Sequence, residues 1–160
     1  MPARARGTAG WGRRDNGGMD GTDGTNGMDG TPEDSGTPAG GRGAEAVLHH
    51  ARALVLADLT ARRAAGPEAV SLLEEAVSSR RWWLEQWADG AAFVPGLVAQ
   101  DVQDALLEAY GRWPLCPLCE DPHALAVEPE LGPDPHWVCE ARGVAVAPVG
   151  SLGPGPEGPR

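Results

Sequence analysis

Apolar residues recur at helical spacing in three stretches of the chain. The first stretch, residues 44–65, ends at Gly66-Pro67, and proline suits the first position of a new helix. The second stretch extends from Pro67 to residue 90, and a third covers about residues 96–110. This pattern predicts an antiparallel helical hairpin, a loop at residues 91–95 and a third helix.

The pattern changes to strict alternation in the last quarter of the chain. His123, Leu125 and Val127 alternate with small or polar residues, as expected when one face of a strand is buried. A proline-rich loop at residues 129–135 precedes a second apolar run, and a turn near Gly143 precedes a third. The sequence therefore predicts a three-stranded antiparallel sheet after the helices, and thus an α+β fold.

Glycine and proline mark the two ends of the chain as different from its middle. The chain contains 23 Gly and 15 Pro, and both types are concentrated in residues 1–42 and 151–160. Too few apolar side chains remain in these segments to offset the entropy of ordering them, so we expect disordered tails. The predicted organisation is a low-complexity tail at 1–42, a three-helix region at 43–110, a sheet module at 111–150 and a second tail at 151–160.

Charge and hydrophobicity narrow the classes of function. The formal net charge is -10 and no segment has a basic excess, which disfavours nucleic acid as a partner. The N-terminus lacks the apolar run of a signal peptide, and the most apolar stretch, residues 53–59, is interrupted by Asp58. We therefore expect a cytoplasmic protein without a membrane segment.

The three cysteines carry the clearest chemical signal. Cys116 and Cys119 are separated by two residues in a Cys-Pro-x-Cys motif, and Cys139 follows twenty residues later. Thiolates at this spacing, with imidazoles nearby, match a small tetrahedral zinc site. An unexported chain also favours a metal site over a disulfide framework. The predicted cofactor is therefore Zn²⁺.

The Cys-Pro-x-Cys motif forms a knuckle from Cys116 to Cys119. This knuckle and the three short strands predicted after it resemble a zinc ribbon over residues 112–150. More loosely, the Cys-Pro-x-Cys and Trp-Val-Cys patterns resemble a family of small uncharacterised actinobacterial zinc-ribbon-like proteins. The resemblance implies a four-ligand site, but Arg142 stands where a standard ribbon has the second cysteine of its second knuckle. Another side chain must complete the tetrahedron.

Two histidines are candidates for the fourth ligand. His123 shares a strand face with Leu125, and closing the hairpin brings it almost opposite Cys139. His136 has the His-x2-Cys spacing, but residues three apart on an extended strand point to opposite faces. We therefore prefer His123 and keep His136 as the alternative. His49 and His50, which are adjacent on the first helix, are assigned to no site.

A tryptophan-rich segment on the second helix is the remaining unusual feature. Tryptophan and arginine are favoured anchors of protein interfaces, so this segment is a candidate partner surface. Alternatively, the indoles fill the junction between the helices and the sheet module, where Trp113 and Trp137 could meet them. The residues of the candidate surface are Arg80, Arg81, Trp82, Trp83 and Trp87.

These features predict a small zinc-binding protein without enzymatic activity, which acts as an interaction or adaptor module for another protein. A nucleic-acid-associated zinc ribbon is the first alternative. A thiol-redox protein that uses Cys116 and Cys119 is the second, although the acidic pair after Cys119 disfavours a free thiolate there.

Overall fold

The elements of the fold follow the predicted order. A computed structural model describes residues 39–155, with side chains from residue 41 onward, so most of the predicted N-terminal tail and residues 156–160 lie outside the described residues. The elements are α1 (Ala39–Ala61), α2 (Pro67–Gln86), a 3-10 helix (Ala88–Phe93), α3 (Val94–Ala109), β1 (Ala126–Glu128), β2 (His136–Cys139) and β3 (Val144–Pro148). Three helices followed by a small antiparallel sheet confirm the predicted α+β class.

Each helix buries one apolar stripe against the other two. Side chains three or four positions apart lie on the same face of a helix, so the spacing seen in the sequence becomes a buried face. The largest buried contributors are Leu48, Val55 and Leu59 on α1, Leu73, Val77 and Leu84 on α2, and Val94, Val98, Val102 and Leu106 on α3.

The loop predicted at residues 91–95 is wrong, because the 3-10 helix Ala88–Phe93 passes directly into α3. Gly90 permits this tight connection, since a side chain at that position would collide with the rings of Trp83 and Trp87. Pro95 lies in the first turn of α3, where its missing N–H group has no cost.

The sheet has the order β1-β2-β3, and both strand pairs are antiparallel. β1 is shorter than the strand predicted from residue 123, because the preceding residues pair with the knuckle. The tight connection from β2 to β3 contains Gly143 at a φ of 61°, a conformation that glycine adopts without steric cost. The strands place Trp137 and Cys139 in the buried interior.

One hydrophobic core contains side chains from both the helices and the sheet. A buried carboxylate joins the two parts: Asp58 of α1 accepts hydrogen bonds from Trp137 Nε1 at 2.7 Å, from the Gly150 N–H at 2.6 Å and from the Leu152 N–H at 2.8 Å. Leu152 is itself buried. The packed chain therefore extends two residues beyond the boundary that the sequence predicts at residue 150.

Within the described residues, no helix combines the length and the apolar character needed to cross a lipid bilayer.

Candidate metal centre

A short hairpin around the first two cysteines builds one side of the site. Leu115 and Ala124 form an isolated antiparallel bridge, and the Cys116 N–H donates to the His123 carbonyl at 2.9 Å. The intervening residues fold back over this bridge, and the Leu118 N–H points at Cys116 Sγ at 3.4 Å. The hairpin therefore brings both cysteines of the knuckle close to His123, which lies only a few residues away along the chain.

The sheet supplies the other side. Ala126 pairs with Val138, so the register places Leu125 opposite Cys139. His123 lies two residues before Leu125 and therefore on the same face. His123 Nε2 lies 3.5 Å from Cys139 Sγ, and Cys119 Sγ lies 3.7 Å from the same sulfur.

Four potential ligand atoms thus converge on one point. The sulfurs of Cys116, Cys119 and Cys139 and a ring nitrogen of His123 all lie within 4.8 Å of one another, and the three cysteines form no disulfide. Cys116 and Cys139 are buried, whereas Cys119 and His123 are half-buried. This group could hold a metal ion, and its three-stranded antiparallel setting is compatible with a zinc-ribbon-like module.

A backbone hydrogen bond fixes the tautomer of His123. Its Nδ1 lies 3.0 Å from the Asp121 carbonyl, and because a carbonyl only accepts, Nδ1 must carry the proton. In the neutral ring the lone pair is then on Nε2, the nitrogen that faces Cys139. Histidine ligands of metals are commonly oriented in this way by a carbonyl behind the ring.

His136, the alternative ligand, does not belong to the cluster formed by Cys116, Cys119, His123 and Cys139. It begins β2, three residues before Cys139, and its Nδ1 lies 2.7 Å from the carbonyl of Asp134. Its ring lines a separate cleft together with His50. Of the two imidazoles considered from the sequence, the structure brings only His123 to the cysteines.

One arginine lies close enough to affect the charge of the site. Burial lowers the pKa of Arg62, while the nearby carboxylate of Asp58 and the thiol of Cys116 oppose this change. Its Nε and Nη1 atoms are buried and have no hydrogen-bond partner among residues 39–155. The guanidinium of Arg62 therefore interacts electrostatically with both Asp58 and Cys116.

The tryptophan-rich segment is only partly available as a surface. Both arginines are engaged within the protein, since Arg80 forms a bidentate ion pair with Asp101 and Arg81 forms one with Glu45. Trp82 is 65% exposed and Trp87 is 41% exposed, whereas Trp83 is half-buried.

Four tryptophans form two separate pairs, not the single junction considered from the sequence, and Phe93 packs against Trp87 with the ring centroids 5.5 Å apart. Trp83 and Trp87 pack edge to face with their ring centroids 4.9 Å apart, at the end of α2. Trp113 and Trp137 form a second such pair, 5.4 Å apart, beside the sheet.

Two polar residues that support the site were missed from the sequence. Asp58 anchors Trp137 of β2, and its position on the apolar stripe of α1, four residues after Leu54, was the available signal. Gln103 of α3 donates to the carbonyls of Trp113 and Leu125 on either side of the knuckle hairpin. Nothing in the local pattern distinguishes this glutamine from a solvent-facing one.

The comparisons with known proteins give a family without an assigned activity. The pattern of the Domain of unknown function (DUF8819) matches residues 44–149, and the chain belongs to this family. The match covers all three helices from residue 44 onward, the four residues of the cluster and the whole sheet. Neither the curated proteins nor the solved structures yielded a match.

Proposed function

We propose that the chain is a small zinc protein in which Cys116, Cys119, His123 and Cys139 hold one Zn²⁺. The geometry of the cluster is the observation that carries this proposal. Zinc–sulfur and zinc–nitrogen bonds of about 2.3 and 2.0–2.1 Å at tetrahedral angles put two sulfurs about 3.8 Å apart and a sulfur and a nitrogen about 3.5 Å apart. In this protein Cys119 Sγ and Cys139 Sγ lie 3.7 Å apart, and Cys139 Sγ and His123 Nε2 lie 3.5 Å apart.

The donor set also supports zinc over other ions. Thiolate sulfur is a soft ligand that suits zinc, whereas calcium and magnesium take oxygen ligands. Three thiolates and a neutral imidazole around Zn²⁺ carry a net charge of about -1. The electrostatic interaction of Arg62 with Cys116 favours a negatively charged sulfur at that position.

A structural role for the metal follows from the number of ligands. Four protein ligands leave no position for water or substrate, and closed sites of this type are structural, whereas catalytic zinc keeps an open position. We therefore propose a non-enzymatic protein whose zinc shapes a surface for another protein. Trp82 supports this role, because it is a large aromatic side chain, 65% exposed, of a type favoured at interfaces.

Metal analysis of purified full-length protein tests the zinc site. We expect one zinc per chain, lost in His123→Ala and retained in His136→Ala, which removes an equivalent ring outside the cluster. A zinc content well below one per chain with all three thiols freely reactive would refute the proposal. Loss of zinc in His136→Ala alone would transfer the ligand role to His136.

A matched pair of surface variants tests the adaptor role. Trp82→Ala and Leu131→Ala each remove an exposed apolar side chain, at different places on the surface. If α2 is the interface, a partner captured by the zinc-loaded protein is lost with Trp82→Ala and kept with Leu131→Ala. Equal capture by both variants contradicts an interface at Trp82.

A separate assay addresses the thiol-redox alternative. Turnover of a disulfide substrate by the apo-protein would favour it.

A further inference from the structure

A second histidine repeats the local structure of the metal ligand His123 in a different place. The sequence Asp-Pro-His occurs at residues 121–123 and again at residues 134–136. In both copies Nδ1 of the histidine lies within hydrogen-bond distance of the carbonyl of the aspartate two residues earlier. The same reasoning about the carbonyl acceptor therefore applies, and Nδ1 of His136 carries the proton.

This hydrogen bond makes Nε2 of neutral His136 an acceptor. Among the described residues no side chain or backbone group forms a hydrogen bond with Nε2, in contrast to the corresponding nitrogen of His123. The ring of His136 lines a cleft of about 1020 Å³, which none of the four cluster residues lines. An oriented acceptor on a residue that lines a cleft, with no partner in the part of the chain that the structure describes, is available to a ligand.

The cleft lies where the helices meet the sheet module. Its walls come from α1, from the connection between α2 and α3, from the loop before β2 and from the chain after β3. Small and aliphatic residues dominate the lining, including Ala46, Val47, Leu54 and Pro95. Clefts of this size with an apolar wall and a few polar groups are the usual form of small-molecule sites.

The polar groups of the cleft select the charge of the ligand. The lining residues with polar side chains are Asp134, His50, His136 and Ser151. The chain contains 13 arginines, yet none of them is among the residues found to line this cleft. The net charge of -10 also favours the approach of a cation.

We propose that this cleft binds a small apolar molecule that carries a protonated amine. The ammonium group donates to the carboxylate of Asp134 and to Nε2 of His136, and the apolar part lies against the wall formed by Val47 and Leu54. The proposal does not depend on the zinc site, because the cleft and the metal cluster share no residue.

Three matched probes test the chemistry of the ligand. Zinc-loaded full-length protein is titrated with 2-phenylethylamine, with 2-phenylethanol and with 3-phenylpropionate, and binding is followed by NMR shifts of the backbone amides around the cleft. We expect saturable shifts with the amine and an affinity at least about tenfold above that for the carboxylate. Equal binding of the amine and the carboxylate, or no saturable shift with the amine, would overturn the proposal.

Variants of the lining locate the site. Ala46→Trp fills the cleft from an exposed position of α1 and should abolish amine binding, while Ala53→Trp, exposed on the same helix but outside the lining, should leave it unchanged. Asp134→Asn removes the charge and keeps a residue type that tolerates the φ of 54° at this position. It should weaken the amine at least about fivefold and leave 2-phenylethanol unaffected. Amine binding that survives Ala46→Trp or is unaffected by Asp134→Asn contradicts the assignment.

Discussion

The helices and the sheet module of this protein depend on different interactions. Helices α1, α2 and α3 span 23, 20 and 16 residues and bury long apolar stripes against one another. The strands have only three, four and five residues, and no residue of β3 is fully buried. A module of this size buries too little apolar surface to fold alone. The zinc proposed for Cys116, Cys119, His123 and Cys139 would compensate for this shortage of buried apolar area.

Removal of the proposed zinc by chelation gives the largest expected effect and tests the comparison directly. A structural zinc contributes on the order of 10 kcal/mol to small domains, so chelation should unfold residues 112–149 while α1, α2 and α3 stay partly helical. Circular dichroism measures the remaining helix, and NMR shows whether the amides of the sheet collapse to unfolded positions. A sheet that keeps its amide shifts after complete zinc removal would show that packing alone maintains the module.

The second prediction concerns the carboxylate that joins the two parts. Asp58→Asn replaces an acceptor of three N–H donors by an amide that must turn a donor toward them, and we expect a loss of roughly 3–5 kcal/mol in the free energy of unfolding. Asp104→Asn, an exposed carboxylate on α3, is the matched control and should change stability by less than about 0.5 kcal/mol. Urea unfolding of both zinc-loaded variants gives the comparison, and equal midpoints would contradict the role of Asp58.

The tryptophans of α2 test how far the helices depend on apolar packing. Trp83 is half-buried against Trp87 and Gly90, so Trp83→Ala should cost roughly 2–3 kcal/mol, less than a fully buried indole. Trp82→Ala removes an indole that is 65% exposed and should change stability by less than about 0.5 kcal/mol. Thermal unfolding separates the two, and a larger loss for Trp82 would reverse the assignment of the buried and exposed faces.

The smallest effect is expected at the surface of the helical part. Arg81 pairs with Glu45 across α1 and α2, but both side chains are nearly half exposed, so solvent screening reduces the value of the pair. Arg81→Ala should therefore lower the free energy of unfolding by roughly 0.5 kcal/mol or less. Denaturant unfolding at low and high salt checks this, and a loss above about 2 kcal/mol would mean that ion pairs, besides apolar packing, stabilise the helices.

Local patterns were sufficient for the three helices, the three strands and the four residues of the candidate metal cluster, but not for the 3-10 helix Ala88–Phe93. Helical periodicity, the Gly66-Pro67 boundary and the alternation around Leu125 act over a few residues, so the sequence displays them directly. The choice of His123 over His136 followed from the same argument, because residues three apart on a strand face opposite ways.

Contacts between distant parts of the chain could not be predicted in this way. The availability of Arg80 and Arg81 depends on Asp101 of α3 and Glu45 of α1, which lie 21 and 36 residues away along the chain. Each of these depends on which helix faces which, and that information is not contained in any short window. The cleft shares this property, because its wall combines residues of α1 with the loop before β2.

The three hydrogen bonds of Asp58 also bear on the order in which the protein assembles during synthesis. The partners of this carboxylate lie 79, 92 and 94 residues further along the chain. Helix α1 is made before the strands. Until Trp137, Gly150 and Leu152 have emerged from the ribosome, the carboxylate of Asp58 has none of these N–H donors and must remain hydrated. Contacts of such long sequence separation form late. The carboxylate can therefore reach its native hydrogen bonds only after residue 152 has been made, and the fold is complete only once the sheet has docked on α1.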